Sequence, residues 1–262
     1  MAEAVLFFWG DRCMKIALCQ SAIKYEDKKF NIDAANESVK LASKCGDDMI
    51  LFPEMSFTGF SMNTDKTKEN NGETLAAMAD IARKNNIAVG FGWVLDCKGK
   101  AKNMYTVLDK NGKILAEYAK IHPFSFAGED RFFEGGKDIC RFEYMGVKIG
   151  VAICYDLRFP YVFSADCDLM LVPANWPKSR MDHWLALLKA RAIENQFYIA
   201  GVNCTGVQDK TEYNGNSCVF DPNGEELVRL ENSAGIIRAD IDAKRVKSVR
   251  QAFPVRQDRI TS

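Results

Sequence analysis

The sequence predicts an α/β fold, read as two packed β-sheets with helices outside them. Short β-branched apolar runs alternate with segments of helical spacing. Hairpin signals are interspersed among them, and so many strands suggest two sheets. No composition shift or Ser/Gly-rich linker divides the 262 residues, so the chain reads as one α/β domain. There is no fixed-period repeat and no low-complexity segment.

Residues 1–13, MAEAVLFFWGDRC, hold a short apolar core from Ala4 to Trp9. That core lacks a basic flank, has Glu3 ahead of it and is too short to span a bilayer. It is expected to be an extension peripheral to the fold. Residues 15–20, KIALCQ, read as the first strand. Residues 27–45 carry Phe30, Ile32, Ala35, Val39 and Ala42 at helical spacing, closed by Gly46. Residues 47–53, DDMILFP, read as a buried strand that runs into Glu54. Residues 55–71 form a loop, 72–86 a helix and 87–95 a strand. Lys110-Asn111-Gly112 is a hairpin signal between strands at 102–108 and 113–119. Residues 122–137 are a Phe- and Gly-rich loop, followed by a strand pair at 138–144 and 147–153.

The second half repeats the alternation. Residues 168–173, DLMLVP, read as a buried strand. Residues 182–196 read as a helix with Trp184, Leu187, Leu188 and Ile193 inward, and 197–203 as a strand. Strands at 217–220 and 226–230 flank Asp221-Pro222-Asn223-Gly224, a turn by its chemistry. A last strand at 235–241 precedes a short helix.

Composition removes several function classes. Lys plus Arg and Asp plus Glu each number 35. That balance argues against a basic nucleic-acid surface or a polybasic membrane patch. Nine cysteines with no C-x-x-C pair read as reduced intracellular thiols rather than a disulfide framework or zinc ribbon. No other stretch could be a transmembrane helix, so the expected compartment is the cytoplasm. Only His122 and His183 are present, so any Ser–His or Cys–His mechanism must use one of them.

The chemistry gathers at strand ends. The run 147–153 ends in Cys154, followed at once by Tyr155, Asp156, Arg158 and Pro160. A strand-to-helix turn places that thiol at a strand's carboxyl end, where open α/β sheets bind ligands. The first free N–H groups of a helix would favour a thiolate there. A buried cysteine is otherwise an ordinary core residue. Glu54 and Lys120 likewise follow strands. Singly they read as a solvated loop charge and a snorkelling lysine. Together the three are an acid, a cation and a nucleophile. If the strand ends converge, Glu54 can take the thiol proton and Lys120 can hold an oxyanion.

At this point the chain resembles the nitrilase superfamily of carbon–nitrogen hydrolases, whose catalytic set is Glu, Lys and Cys. LFPEMSFTGF matches the glutamate motif at Glu54, YAKIHPF the lysine motif at Lys120 and GVAICYDLRFP the cysteine motif at Cys154. Glu129, in FAGEDRFFEGG, lines up with the family's second glutamate. The resemblance runs from about Met14 to Phe253 and includes NWP, ARAIENQ and DPNG. It implies a four-layer αββα sandwich, a hydrolase domain over residues 14–262, and a homodimer or higher homo-oligomer. It implies that Cys154 attacks an amide carbonyl, that Glu54 is general base, and that Lys120 and the Tyr155 N–H hold the oxyanion. Lys120 would also favour the Cys154 thiolate, and Glu129 would position Lys120 or the substrate amide. Neither metal nor organic cofactor is called for.

NWP followed by Arg180, His183-Trp184 and ARAIENQ is similar to the omega-amidase branch, which cleaves the terminal amide of small dicarboxylic-acid monoamides. Phe124, Asn175, Trp176 and Arg180 are then the candidate substrate contacts. Arg131 and Lys178 compete for a substrate carboxylate, and Phe57, Phe60 and Phe126 for the pocket wall. Other readings are a carbamoyl-amide hydrolase, an aliphatic amidase or a nitrilase of the same superfamily. A catalytically silent binding protein and a Cys–His thiol protease stand further off. The expected partner is a small amide, with no nucleic acid and no membrane.

Overall fold

The computed structural model describes residues 13–70 and 72–258. Of the N-terminal extension read from the sequence, residues 1–12 lie outside the described residues. In chain order the strands and helices are β1 Met14–Gln20, α1 Lys28–Lys44, β2 Met49–Leu51, α2 Thr64–Thr67, α3 Glu73–Asn85 and β3 Ala88–Asp96. Then come β4 Ala101–Leu108, β5 Ile114–Ala119, α4 Glu129–Phe132, β6 Cys140–Tyr144, β7 Val147–Val151, β8 Leu169–Pro173 and α5 Met181–Asn195. The chain continues with β9 Tyr198–Val202, β10 Thr205–Gln208, β11 Thr211–Phe220, β12 Glu226–Glu231, β13 Gly235–Ile241 and α6 Ala243–Ala252.

The first sheet has the order β13-β1-β2-β3-β4-β5, with β1, β2 and β3 parallel. The second has the order β10-β11-β9-β8-β7-β6, with β12 beside β11 and β7, β8 and β9 parallel. The period-two pleat sorts each strand's side chains between layers. On β1, Met14, Ile16 and Leu18 join the core shared with the second sheet, together with Ile149, Val151, Leu169 and Leu171. Ala17 and Cys19 face outward to α1 and α3, through Val39, Ala42, Met78 and Ala82. On the far side, Trp184, Leu188 and Ala192 of α5 join the core of the second sheet. The result is the expected four-layer αββα sandwich.

Local chemistry sets the boundaries. Asp27 caps α1 by accepting from the Phe30 N–H at 3.1 Å. Asn86 ends α3 in the left-handed region at φ 52°. Several expectations are corrected. β2 is only three residues long, although Phe52 still donates to the Gly90 carbonyl at 2.8 Å. β10 lies in a stretch to which the sequence assigned no element; its burial does not alternate, so it carries no strand period. Phe30 is exposed rather than inward. On α5 Ile193 is also exposed, and Arg191 is buried in its stead. Arg191 can be buried because its Nε and Nη2 donate to the Leu157 carbonyl at 3.2 and 2.9 Å. Among the described residues no helix is long and apolar enough to cross a membrane.

Candidate active site

The carboxyl ends of strands from both sheets meet at one place. Glu54 lies three residues past β2, Lys120 directly past β5, Cys154 three past β7 and Asn175 two past β8. Two of these turns are sharp. Met55, beside Glu54, has φ 42°, and Cys154 itself has φ 47°. The left-handed region is sterically costly for both residue types and is held only when the surroundings dictate it. Gly92 of β3 shows how tightly the Glu54 turn is seated. A Cβ there would run into the Met55 nitrogen and the Glu54 carbonyl carbon.

A buried charge cluster forms the core of the site. Lys120 Nζ lies 2.9 Å from Glu54 Oε1 and 2.8 Å from Glu129 Oε2. Asn103 Nδ2, from β4, donates to Glu54 Oε1 at 2.7 Å and to Glu129 Oε1 at 3.1 Å. The Phe124 N–H donates to Glu129 Oε2 at 2.5 Å. The Asn175 N–H donates to Glu54 Oε2 at 2.9 Å, and Asn175 Nδ2 to the Glu54 carbonyl at 2.7 Å. An unpaired ammonium would be expelled from such a site. Burial pushes Lys120 toward neutrality, but the charges of Glu129, Glu54 and Cys154 outweigh it and hold the lysine well above its ordinary value. Glu129 is fully buried, contacts Lys120 and is not among the residues lining the cavity beside the cluster.

Cys154 opens the 3₁₀ turn Cys154–Arg158, whose first N–H groups, including that of Tyr155, have no acceptor within the turn. Its Sγ lies 4.0 Å from the Asn175 carbonyl. Burial, and then the charge of Glu54, push the thiol well above the ordinary cysteine range, while Lys120 pulls it back only in part. The cation acts in the expected direction, favouring the thiolate, and burial opposes it.

Cys154 and Lys120 border a cavity of about 290 Å³. Phe60, Phe124, Phe126, Trp176 and Tyr213 line its walls, and Arg158 and Arg180 bring cations to it. The Arg180 guanidinium lies 5.4 Å from the ring centres of both Phe124 and Phe126, and that of Arg158 lies 5.0 Å from Trp176. The Trp176 indole N–H donates to the Arg180 carbonyl at 2.7 Å, which fixes that loop.

Other candidates fall elsewhere. Phe57 packs in the outer core with Phe52 and Phe91. Arg131 is exposed and does not line the cavity, and Lys178 pairs with Glu212 at the surface at 2.7 Å. His122 Nδ1 lies 2.7 Å from Asp156 Oδ1, and His183 Nδ1 3.1 Å from Arg158 Nη2. Both imidazoles are therefore engaged away from the thiol. Sequence reasoning missed Asn103, Tyr213 and the part of Arg158. An asparagine within a predicted strand was the one visible signal for Asn103.

With this geometry in place, the comparisons identify the class. The Carbon-nitrogen hydrolase family matches residues 15–251, and the chain belongs to that family. It is an amide-hydrolysing enzyme, and it is similar to omega-amidases. The chain is 34% identical over 250 residues to a 2-oxoglutaramate amidase of Bacillus subtilis, covering 93% of this chain and 96% of that one. It is also 34% identical over 253 residues to an omega-amidase of Yersinia enterocolitica, covering 94% and 96%. Among solved structures, a CN-hydrolase superfamily protein of Xanthomonas campestris with an arsenic adduct in its active site superposes with a TM-score of 0.91 at 29% identity, covering 95% of this chain and 98% of that one.

Proposed function

We propose that the protein hydrolyses the terminal amide of a small dicarboxylic-acid monoamide through a Cys154 thioester, releasing ammonia. Glu54 takes the thiol proton as the sulfur attacks the amide carbon. The carbonyl oxygen becomes an oxyanion, held by the Lys120 ammonium and the Tyr155 N–H. The carbon–nitrogen bond then breaks, and Glu54 returns the proton to the departing nitrogen, which leaves as ammonia. In the second half Glu54 takes a proton from water. The resulting hydroxide equivalent attacks the thioester, and the acid leaves as the thiol is restored. Glu129 and Asn103 keep Lys120 and Glu54 in place throughout.

One observation carries the substrate class: a cavity of about 290 Å³ is lined by a thiol and an ammonium, of Cys154 and Lys120, and by the guanidiniums of Arg158 and Arg180. A carboxylate leaving water needs a cationic or multiply donating partner. The two guanidiniums supply one within a cavity sized for a small acid. The names of the relatives at 34% identity point to the same substrate class.

The test is ammonia release from a panel of dicarboxylic monoamides, uncharged amides of equal length, carbamoyl amino acids and nitriles. The charged monoamides should be turned over far faster than their neutral counterparts. Arg180→Ala should remove much of that difference, by about 10- to 100-fold for a lost charge-assisted contact. Equal rates on charged and neutral amides in the wild type would refute the substrate class. If the preference survives in Arg180→Ala, Arg158 is the carboxylate partner.

A further inference from the structure

The oxyanion receptor proposed above has two halves from different sheets. Lys120 follows β5, the edge strand of the first sheet, and the Tyr155 amide follows β7 of the second. Two donors aimed at one oxygen must hold their spacing to within about 0.5 Å to be effective. Something must therefore tie the two strand ends together.

The carboxylate of Asp156 lies where such a tie is needed. It is fully buried. Its Oδ2 accepts from the Tyr118 hydroxyl at 2.8 Å and from the Ile153 N–H at 3.1 Å. Its Oδ1 accepts from the His122 N–H at 2.9 Å and contacts His122 Nδ1 at 2.7 Å. Tyr118 and His122 stand two residues before and two after Lys120, and Ile153 immediately precedes Cys154. One carboxylate thus grips the lysine segment on both sides and the nucleophile turn at its start. Capping that turn needs only the Ile153 contact; the other three reach across to the lysine segment. His122 is fixed in turn, stacked on Phe159 at 3.6 Å with its Nε2 2.9 Å from the Tyr161 hydroxyl.

We propose that Asp156 is a positioning residue that sets Lys120 and the Tyr155 amide in register, with Tyr118 and His122 as its anchors on the lysine side. The inference rests on the roles proposed for Cys154 and Lys120. It assigns His122 a part in the reaction without proton transfer to the sulfur.

The experiment compares two reactions of the same thiol in wild type, Asp156→Asn and Tyr118→Phe. Acylation of Cys154 by a slow amide substrate builds an oxyanion, whereas alkylation by iodoacetamide is displacement at a saturated carbon and builds none. In Asp156→Asn one oxygen becomes an amide donor that cannot accept, so the register is lost. Acylation should fall about 100-fold, the scale of a misplaced oxyanion donor, while alkylation stays within about twofold. Tyr118→Phe removes one contact and should lower acylation about 5- to 10-fold with the same split, which keeps the test open if Asp156→Asn does not fold. In a Lys120→Met background either substitution should cost little more, because both act through the same receptor. Undiminished acylation overturns the proposal, as does a parallel fall in both reactions, which would make Asp156 a scaffold for the cysteine turn alone. A wild-type acyl adduct on any other cysteine overturns the proposed function and this inference with it. An adduct on Cys154 with undiminished acylation in the variants overturns only the inference.

Discussion

Cys154 and Cys204 make a natural comparison. Each follows a parallel strand of the second sheet, β7 for one and β9 for the other. Both touch Asn175: Cys154 Sγ lies 4.0 Å from its carbonyl, and Cys204 Sγ lies 2.9 Å from its Oδ1. Burial, followed by the charge of Glu54, raises both thiols well above the ordinary range. The differences lie elsewhere. Cys204 is 0% exposed and held by Gln208 Nε2 at 3.2 Å, whereas Cys154 is 9% exposed, borders the cavity and feels the Lys120 ammonium. Its backbone is also strained, at φ 47°. A depressed pKa is therefore not what distinguishes the proposed nucleophile. Access to the cavity, the Lys120 ammonium and a side-chain hydrogen bond to Glu54 are.

The largest effect should come from Cys154→Ala, which leaves the fold intact and lowers turnover by at least about 10,000-fold, since no other group supplies the covalent intermediate. If Cys204 took over, the variant would retain measurable acylation on the peptide holding Cys204, visible by mass spectrometry. Next come the two groups that favour Cys154. Lys120→Met and Glu54→Gln should each reduce the rate about 100- to 1,000-fold in steady-state ammonia release. A loss below about tenfold in either would put the distinction between the two thiols back onto access alone.

Alkylation sharpens the contrast further. In the native protein iodoacetamide should label Cys154 at least about tenfold faster than Cys204, because only the former borders the cavity. A raised thiol pKa leaves little thiolate at neutral pH, so the Cys154 rate should climb about tenfold per pH unit through the ordinary thiol range near pH 8.5 rather than level off below it. A plateau below about pH 8 would show that Lys120 outweighs burial after all. The smallest effect belongs to Cys204→Ala. It should keep activity within a few-fold and cost about 1 kcal/mol in denaturant unfolding, for one lost thiol contact and a small void.

Much of this was legible in the sequence because it is local. A β-branched run that stops abruptly at polar residues marks a strand end, and Glu54, Lys120 and Cys154 stand at three of them. Their convergence was not legible, since Lys120 and Glu54 are 66 residues apart and meet only when the sheet forms. The direction of the Cys154 shift was out of reach for the same reason. The lysine was visible in the chain, but the burial that outweighs it belongs to the packed interior. Asn103 was passed over because, beside Lys102 and in a strand that also holds Thr106, it reads as one more ordinary polar strand residue. Arg191 was passed over because helical spacing favours Ile193, and the Leu157 carbonyl and the Glu194 carboxylate make a buried arginine tolerable there.

The pairing of β13 with β1 has a consequence for synthesis. Met14 lies opposite Ile241, so the first strand made waits for nearly the last before its sheet edge is closed. A chain still emerging from the ribosome can hold Glu54 and Lys120 in a partial first sheet while Cys154 is far from both. Such a chain carries an unassembled reaction centre. Amidase activity in a stalled-translation series should therefore be absent from intermediates that lack the closing strand and appear in a single step once it is released, because strand pairings between segments distant in sequence form late and cooperatively.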